Sequence, residues 1–151
     1  MHGVPSGEDR YINNVLFQSG RLDLYDNVPP LSLMEGNVFL KGAKPSKLEK
    51  QPLLKPEFDP GVKLVQNPDG WYLEFAGEKA WKSEQPRKLV TTDLLGKAMV
   101  PDALFENTDG SPLRINTDYF GIKRDKRNPF PGPFEDVQDG KQTVKVWPVV
   151  R

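Results

Sequence analysis

Three consecutive residues near the start of the chain, Asp9, Arg10 and Tyr11, carry side chains suited to a ligand rich in hydroxyl groups. Arginine presents a fixed set of N–H donors that fits hydroxyl or carboxylate oxygens. Tyrosine adds an aromatic face with a polar hydroxyl at its tip. We therefore predict a binding role for these residues. The alternative is that Asp9 and Arg10 form an ion pair that holds a turn.

Several kinds of chemistry lack their residues in this chain. It has no cysteine, and its single histidine is His2. A disulfide framework and a thiolate metal site are therefore excluded. The Gly-x-Ser-x-Gly motif of hydrolases and the Gly-Lys-Ser or Gly-Lys-Thr phosphate loop are also missing. We expect no metal and no cofactor, and a histidine so close to a terminus usually belongs to a frayed end.

One basic cluster, residues 121–128, could bind phosphate. Its charged residues are Lys123, Arg124, Asp125, Lys126 and Arg127. No aromatic side chains are interleaved with them, so we predict a solvated loop. The whole chain has 21 basic and 21 acidic residues and no apolar run long enough to span a bilayer. We expect neither a nucleic-acid nor a membrane partner, and the compartment is left open.

The elements that must position these residues are mainly short strands. Fifteen prolines and thirteen glycines leave few windows for an unbroken helix. The best helical candidate is residues 91–99, with Thr91 or Thr92 as N-cap, and Gly96 and Pro101 limit it to a turn or two. The composition therefore favours an all-β fold.

A repeat gives the fold more detail, because residues 13–20, NNVLFQSG, resemble residues 36–43, GNVFLKGA, at an offset of 23. A short apolar strand that recurs at this spacing is typical of one coil of a parallel β-helix. Equivalent residues then stack about 4.8 Å apart. Asn14 and Asn37 should form an amide ladder. The alternative is a chance likeness between two strands.

The rest of the chain departs from this repeat. Residues 43–61 carry four prolines and predict an extended strap. Residues 67–70, NPDG, predict the turn of an antiparallel hairpin, and the last ten or so residues predict an edge strand. We expect Trp71, with Leu73 and Phe75, on the buried face of the hairpin. The alternative is an aromatic platform for sugar rings formed by Trp71, Tyr72 and Trp81.

Three blocks of sequence resemble a known family. They are His2, Pro5 and Gly7 followed by EDRYINNVLF, then MEGNVFLKGAKPSK, and TDYFGIKR with NPFPGPF. The chain is similar to the C-terminal portion of right-handed parallel β-helix enzymes, in particular the family-120 β-xylosidases of the glycoside hydrolases. The family tends to have two aspartates before the arginine, whereas this chain has Glu8 and Asp9. The resemblance implies that His2 lies near the active-site rim, which makes it a further candidate for substrate binding, and that the paired catalytic carboxylates lie upstream.

Carboxylate spacing gives no catalytic pair within the chain. A glycosidase needs two carboxyl groups about 5 to 9.5 Å apart, one of them with a raised pKa. At the 23-residue offset the only acidic match is Asp26 with Glu49, and we predict that both are solvated charges beside Lys47 and Lys50. Asp9 and Glu35 could approach each other only if a turn brought them together.

We therefore predict an all-β chain with coils of a right-handed parallel β-helix at 1–42, a Pro-rich strap at 43–61 and a β-rich region at 62–151. The expected function is that of the C-terminal part of a β-xylosidase-like hydrolase of xylan-type oligosaccharides, inactive alone. The alternatives are a non-catalytic polysaccharide-binding or stabilising module and a polysaccharide lyase fragment. Two coils cannot bury a core alone, so we expect upstream coils or self-association, with an oligosaccharide or polysaccharide as ligand.

Overall fold

The computed structural model describes residues 8–27 and 32–149, and these consist mainly of strands with few helices. The strands are β1 Arg10–Ile12, β2 Val15–Phe17, β3 Leu33–Glu35, β4 Val38–Leu40, β5 Glu49–Lys50, β6 Leu53–Lys55, β7 Lys63–Asn67, β8 Gly70–Gly77, β9 Lys97–Ala98, β10 Ala103–Leu104 and β11 Gly140–Trp147. The helices are a 3-10 helix at Asp23–Asn27, α1 Ala80–Glu84 and α2 Thr92–Leu95. None of the described helices is long and apolar enough to cross a membrane.

Two three-stranded parallel sheets occupy the first third of the chain. One has the order β1-β3-β5 and the other the order β2-β4-β6. Arg10 pairs with Leu33 in the first sheet and Val15 with Val38 in the second, each at an offset of 23 residues. The register predicted from the repeat is therefore confirmed. Each successive set of two strands places one strand in each sheet. We call these sets, β1 with β2, β3 with β4 and β5 with β6, the three parallel layers.

The parallel pairing continues beyond Gly42, where the sequence repeat was expected to stop. Met34 pairs with Glu49 and Val38 with Leu53, so the third layer follows the second at an offset of 15 residues. The segment predicted as a strap therefore contributes two strands. Its side-chain types repeat only in part at this shorter offset, because Leu53 and Leu54 pair with apolar residues whereas Lys55 pairs with Leu40. The division of the chain at residues 42 and 61 stays a prediction.

A small core lies between the two parallel sheets. Leu22, Met34 and Phe39 are buried there, and Tyr11 and Leu16 pack against them. The predicted amide ladder of Asn14 and Asn37 is confirmed, and it lies at the edge of this small core. The backbone N–H of Asn14 and its side-chain Nδ2 donate to Asn37 Oδ1 at 2.8 and 3.1 Å. Alternation along each strand turns the neighbours of these core residues toward the outside of the layers.

The outer face of the β2-β4-β6 sheet is covered by the C-terminal half of the chain. Val38 and Leu40 form a buried cluster there with Trp81, Phe130 and Phe134. Trp81 is only 3% exposed. Its indole N–H donates to Glu78 Oε2 at 2.9 Å, which satisfies its one polar group. Trp81 is therefore a core residue, and it cannot belong to an exposed aromatic platform.

The predicted hairpin is confirmed. β7 and β8 pair antiparallel around Pro68 and Asp69, with Asn67 opposite Gly70. Leu73, Phe75 and Trp71 are all partly buried, and Leu73 and Phe75 pack against the buried cluster that contains Trp81. β11 pairs with the other side of β8 and is an edge strand, as predicted. The three strands form an antiparallel sheet beside the parallel layers.

The predicted helix near residue 91 is present as α2. The Thr91 side chain accepts a hydrogen bond from the backbone N–H of Leu94 at 3.2 Å, and Gly96 ends the helix with a φ of 71°. Gly96 suits this position because a positive φ is unstrained only without a Cβ. The other helix, α1, has no such signal in the sequence, since its N-cap residue Lys79 makes no side-chain capping bond.

Candidate functional site

A chain of hydrogen bonds joins two of the predicted binding residues through a third residue, Tyr25. The Tyr25 hydroxyl donates to Asp9 Oδ2 at 2.8 Å. The Tyr11 and Tyr25 oxygens are 2.7 Å apart, so Tyr11 donates to Tyr25. Asp9 is exposed and both tyrosines are half-buried. We call Asp9, Tyr11 and Tyr25 the tyrosine relay.

The parallel layers position the tyrosine relay. Tyr11 lies at the centre of β1, and its ring points inward against the small core. Tyr25 comes from the 3-10 helix, and its ring meets that of Tyr11 edge to face at 5.5 Å between centroids. Asp9 immediately precedes β1 and accepts a backbone hydrogen bond from Leu33 at 2.9 Å. A fixed scaffold therefore presents one exposed carboxylate.

The chemistry of the tyrosine relay is that of binding. The pKa of Tyr25 is raised, with its contact with the Tyr11 hydroxyl as the largest cause and with burial and the Asp9 carboxylate as further causes. Tyr25 therefore stays protonated and keeps donating to Asp9 at any physiological pH. The exposed carboxylate can accept further hydrogen bonds from hydroxyl groups of a ligand. Sequence reasoning missed Tyr25, because no pattern in residues 21–27 marked it.

Arg10, the third predicted residue, is directed elsewhere. Its Nε donates to the Leu95 carbonyl at 3.0 Å and its Nη2 to the Lys97 carbonyl at 3.2 Å. Its guanidinium also lies 5.7 Å from the centre of the Phe105 ring. Alternation along β1 accounts for this placement, since Arg10 and Tyr11 point to opposite faces. Arg10 fastens α2 and β9 to the parallel layers, and His2 lies outside the described residues.

The two carboxylates that the 23-residue offset would align, those of Asp26 and Glu49, have different environments. Asp26 accepts hydrogen bonds from the Ser46 hydroxyl at 2.6 Å and the Lys47 N–H at 2.8 Å, which lower its pKa. Glu49 is only 9% exposed, so the prediction that it is a solvated charge is wrong. The offset of 15 places Glu49 beside Met34, on the inward face.

Glu49 extends the amide ladder. Asn37 donates from its backbone N–H to Glu49 Oε1 at 3.1 Å and from its Nδ2 to Oε2 at 2.6 Å. Burial raises the pKa of Glu49, and these hydrogen bonds oppose the rise. A carboxylate enclosed in this way stabilises a turn and has no room for a substrate. We therefore assign it a structural role.

Glu35, the remaining acidic candidate, lies apart from Asp9. Arg10 pairs with Leu33 and Ile12 with Glu35, so Asp9 and Glu35 lie at opposite ends of the paired strands β1 and β3. The Glu35 carboxylate instead forms an ion pair with Lys88 at 2.8 Å. No turn brings Asp9 and Glu35 together. Within residues 8–27 and 32–149 there is also no cluster of metal-binding side chains.

The predicted basic loop is only partly solvated. Lys123, Lys126 and Arg127 are exposed, whereas Arg124 is partly buried. Arg124 donates to the carbonyls of Phe130 at 3.0 Å and Gly132 at 2.8 Å. It holds the following proline-rich turn and is not available to a ligand.

A cleft lies beside this loop, at the ends of β3 and β5. Its volume is about 710 Å³, and its lining residues are Glu35, Lys50, Gln51, Pro86, Arg87, Lys88 and Arg127. We call it the basic cleft. Arg87 is buried and lies at its base, whereas Lys50, Lys88 and Arg127 are exposed. No sequence pattern predicted this cleft, because its lining residues come from four separate segments of the chain.

Comparisons with known proteins give one informative match. No family model and no curated protein matches the sequence. Among solved structures, the chain is similar to XylC in complex with xylose, with a TM-score of 0.80 and 25% sequence identity. The match covers 93% of this chain and 26% of XylC, so the chain spans about a quarter of that protein. The likeness supports a fold of the kind found in carbohydrate-active enzymes.

Proposed function

We propose that this chain is the C-terminal part of a carbohydrate-active hydrolase similar to the β-xylosidases. The observation that carries the proposal is the structural likeness to xylose-bound XylC over 93% of the chain. The sequence blocks that resemble family-120 β-xylosidases point to the same family independently of the coordinates. The three parallel layers belong, on this proposal, to a right-handed parallel β-helix, the hand that almost all parallel crossover connections adopt.

In this proposal the chain's own residues bind sugar and leave bond cleavage to carboxylates elsewhere in the protein. Asp9 accepts hydrogen bonds from sugar hydroxyls, and Tyr25 holds its carboxylate in place through the 2.8 Å bond. Tyr11 fixes Tyr25 in turn. The two acids within the strands of the layers are engaged, Glu35 with Lys88 and Glu49 with Asn37. Neither is placed to act on a glycosidic bond beside Asp9.

A binding experiment tests the role of the tyrosine relay. The ¹⁵N-labelled 151-residue chain is titrated with xylose and xylobiose, and amide shifts are followed by NMR. We expect weak binding with shifts at residues 8–12 and 23–27, reduced about tenfold in Asp9→Asn because one charged acceptor is lost.

Asp69→Asn is the matched control, because Tyr72 donates to Asp69 at 2.8 Å as Tyr25 does to Asp9, on another face of the molecule. This variant should bind like the wild type. A folded chain that shows no shifts with either sugar would contradict the proposed binding role, as would equal losses in both variants.

An activity assay tests the location of the catalytic carboxylates. The folded chain, checked by circular dichroism, is incubated with aryl xyloside, arabinofuranoside and fucoside. We expect no hydrolysis above the blank. Turnover that Asp9→Asn abolishes would place a catalytic residue within this chain and overturn the proposal that the carboxylate pair lies outside it.

A further inference from the structure

The basic cleft carries a local excess of positive charge on a chain that is neutral overall. Four of its lining residues are cationic and one, Glu35, is acidic. Glu35 is matched by Lys88 at 2.8 Å. In the part of the chain that the structure describes, no carboxylate lies within ion-pair distance of Lys50 or Arg127. Two exposed cations therefore face this concave surface without a partner of opposite charge.

The base of the cleft adds a buried cation. Arg87 is 2% exposed, and its guanidinium donates to the carbonyls of Gly36 at 2.8 Å and Trp81 at 2.7 Å. It also donates to the Gln85 side-chain oxygen at 2.6 Å. All of these acceptors are neutral, so no carboxylate compensates the charge. Burial lowers the pKa of Arg87 to about 10, which leaves it protonated at neutral pH.

A buried charge acts over a longer range than an exposed one, because little water lies between it and the cleft to screen it. An anion in the cleft would interact with Arg87 from above while Lys50 and Arg127 contact it from the rim. It would also relieve part of the cost of burying Arg87 without a counter-charge. The electrostatics therefore favour an anionic ligand over a neutral one.

The shape of the cleft indicates what kind of anion fits. A volume of about 710 Å³ lies in the usual range of clefts for small organic ligands and is much larger than a phosphate needs. Pro86 offers an exposed apolar surface for the C–H face of a sugar ring, and Gln51 offers hydrogen bonds to hydroxyl groups.

We propose that the basic cleft binds a carboxylated sugar, a uronic acid unit of an oligosaccharide. Lys50 and Arg127 bind the carboxylate at the rim, and the sugar ring packs against Pro86. This inference rests on the proposed function for its carbohydrate class, but it concerns a surface distinct from the tyrosine relay. The whole protein would then select chains that carry acidic substituents.

Binding of simple ligands to the 151-residue chain tests the proposal. Glucuronate, glucose and inorganic phosphate are titrated separately by NMR at low and at physiological salt. We expect glucuronate to shift amides at residues 50–51, 87–88 and 127, to bind at least tenfold more tightly than glucose, and to bind more weakly as salt increases. Phosphate that binds there as tightly as glucuronate would overturn the assignment of a sugar acid.

Paired variants give the sharper readout. Lys50→Gln with Arg127→Gln should weaken glucuronate binding about tenfold, since both rim charges are lost. Lys123→Gln with Lys126→Gln removes the same net charge from the neighbouring loop without touching the cleft, and should bind glucuronate like the wild type. Arg87 is left unchanged, because its hydrogen bonds hold the fold together.

Equal weakening in both double variants would show a non-specific charge effect and overturn the site. Absence of glucuronate binding by the folded wild type would overturn it as well. Xylose binding at residues 8–12 and 23–27 is measured on the same sample. If xylose binds and glucuronate does not, the proposed function is retained and only the uronate site is rejected. If glucuronate binds and xylose does not, the xylose-binding role is rejected and the anion site is retained.

Discussion

The parallel layers and the segment 116–137 are held together by different kinds of interaction. In the layers, strands pair through backbone hydrogen bonds at fixed offsets, and apolar side chains fill the space between them. Segment 116–137 contains none of the strands or helices described above. Three charged side chains there form hydrogen bonds to several of its backbone groups, in addition to scattered backbone–backbone bonds such as that from the Tyr119 N–H to the Pro133 carbonyl at 2.9 Å. Regular pairing tolerates many side chains, whereas the irregular segment depends on a few.

Those three residues are Asp118, Arg124 and Glu135. Asp118 accepts from the N–H groups of Phe120 at 2.9 Å, Ile122 at 2.8 Å and Glu135 at 3.0 Å. Arg124 donates to nearby carbonyls, and the Glu135 carboxylate meets Arg124 at 3.5 Å. Asp118 is only 8% exposed. Its loss would leave three partly buried N–H groups without this partner.

Loss of a core side chain from the layers should have the largest effect. Phe39 is 1% exposed, and Phe39→Ala should lower the free energy of unfolding by about 3–5 kcal/mol, because a cavity remains. Urea denaturation followed by circular dichroism measures it. Leu54, the cross-strand partner of Phe39 in the third layer, is 52% exposed and serves as control. A similar loss in Leu54→Ala would show that the third layer is buried in solution.

Removal of the Asn37 side chain, at the centre of the amide ladder, should lower the free energy of unfolding somewhat less than Phe39→Ala does. Asn37→Ala leaves Glu49 Oε2 and the Asn14 N–H without their side-chain partner, while the Asn37 N–H still donates to Glu49 Oε1, and it should cost roughly 2–4 kcal/mol. The same urea series measures it. Asn14→Ala changes an exposed residue at the end of the ladder and should be much milder. Equal effects would mean that burial at Asn37 is unimportant.

Removal of the Asp118 carboxylate from segment 116–137 should destabilise that segment locally. Asp118→Ala should cost about 1–3 kcal/mol. Hydrogen exchange should speed up at Phe120, Ile122 and Glu135 and stay unchanged at Val38 and Leu40. Asp109→Ala, in an exposed turn that Asp109 closes by accepting from the Ser111 N–H at 2.9 Å, is the control with little expected change. Faster exchange throughout the layers would show that the two regions open as one unit.

The smallest effect concerns pH. Because burial raises the pKa of Glu49, the folded chain holds this proton more tightly than the unfolded chain does. The contribution of Glu49 to stability therefore falls as pH rises from the ordinary value of 4.5 through the raised value, and stays lower above it. Glu49→Gln should remove this loss.

Urea midpoints for wild type and Glu49→Gln between acid and neutral pH measure the difference. As pH rises, the urea midpoint of Glu49→Gln should increase relative to that of the wild type. Glu57→Gln, an exposed change of the same charge, should follow the wild type at every pH. A constant difference between wild type and Glu49→Gln would mean that Glu49 titrates normally in the folded protein.

Local signals in the sequence predicted the regular elements well. The Asn-Val-apolar repeat gave the 23-residue register, NPDG gave the hairpin turn, and Thr91 with Gly96 gave the limits of α2. Each signal depends on residues close together in the chain or equivalent in adjacent layers. The third layer was missed because its offset shortens from 23 to 15 residues, and because Glu49 and Lys55 are charged where their partners are apolar.

The binding surfaces were predicted less completely. Asp9 and Tyr11 were identified from their chemistry, but Tyr25 and the placement of Arg10 were not. Which face of β1 each side chain takes depends on what packs on both sides of the sheet. Glu49 seemed exposed because charged residues surround it in sequence, yet the shortened offset places it under Asn37.

The sequence by itself determined the all-β character, the repeat register and the turns, because proline, glycine and alternating apolar residues restrict the backbone locally. Only the tertiary structure decided that Tyr25 joins Tyr11 to Asp9, that Arg87 is buried beneath Lys50 and Arg127, and that Trp81 is core. These contacts join residues far apart in the chain, and their free energy depends on burial and distance, which residue order does not specify.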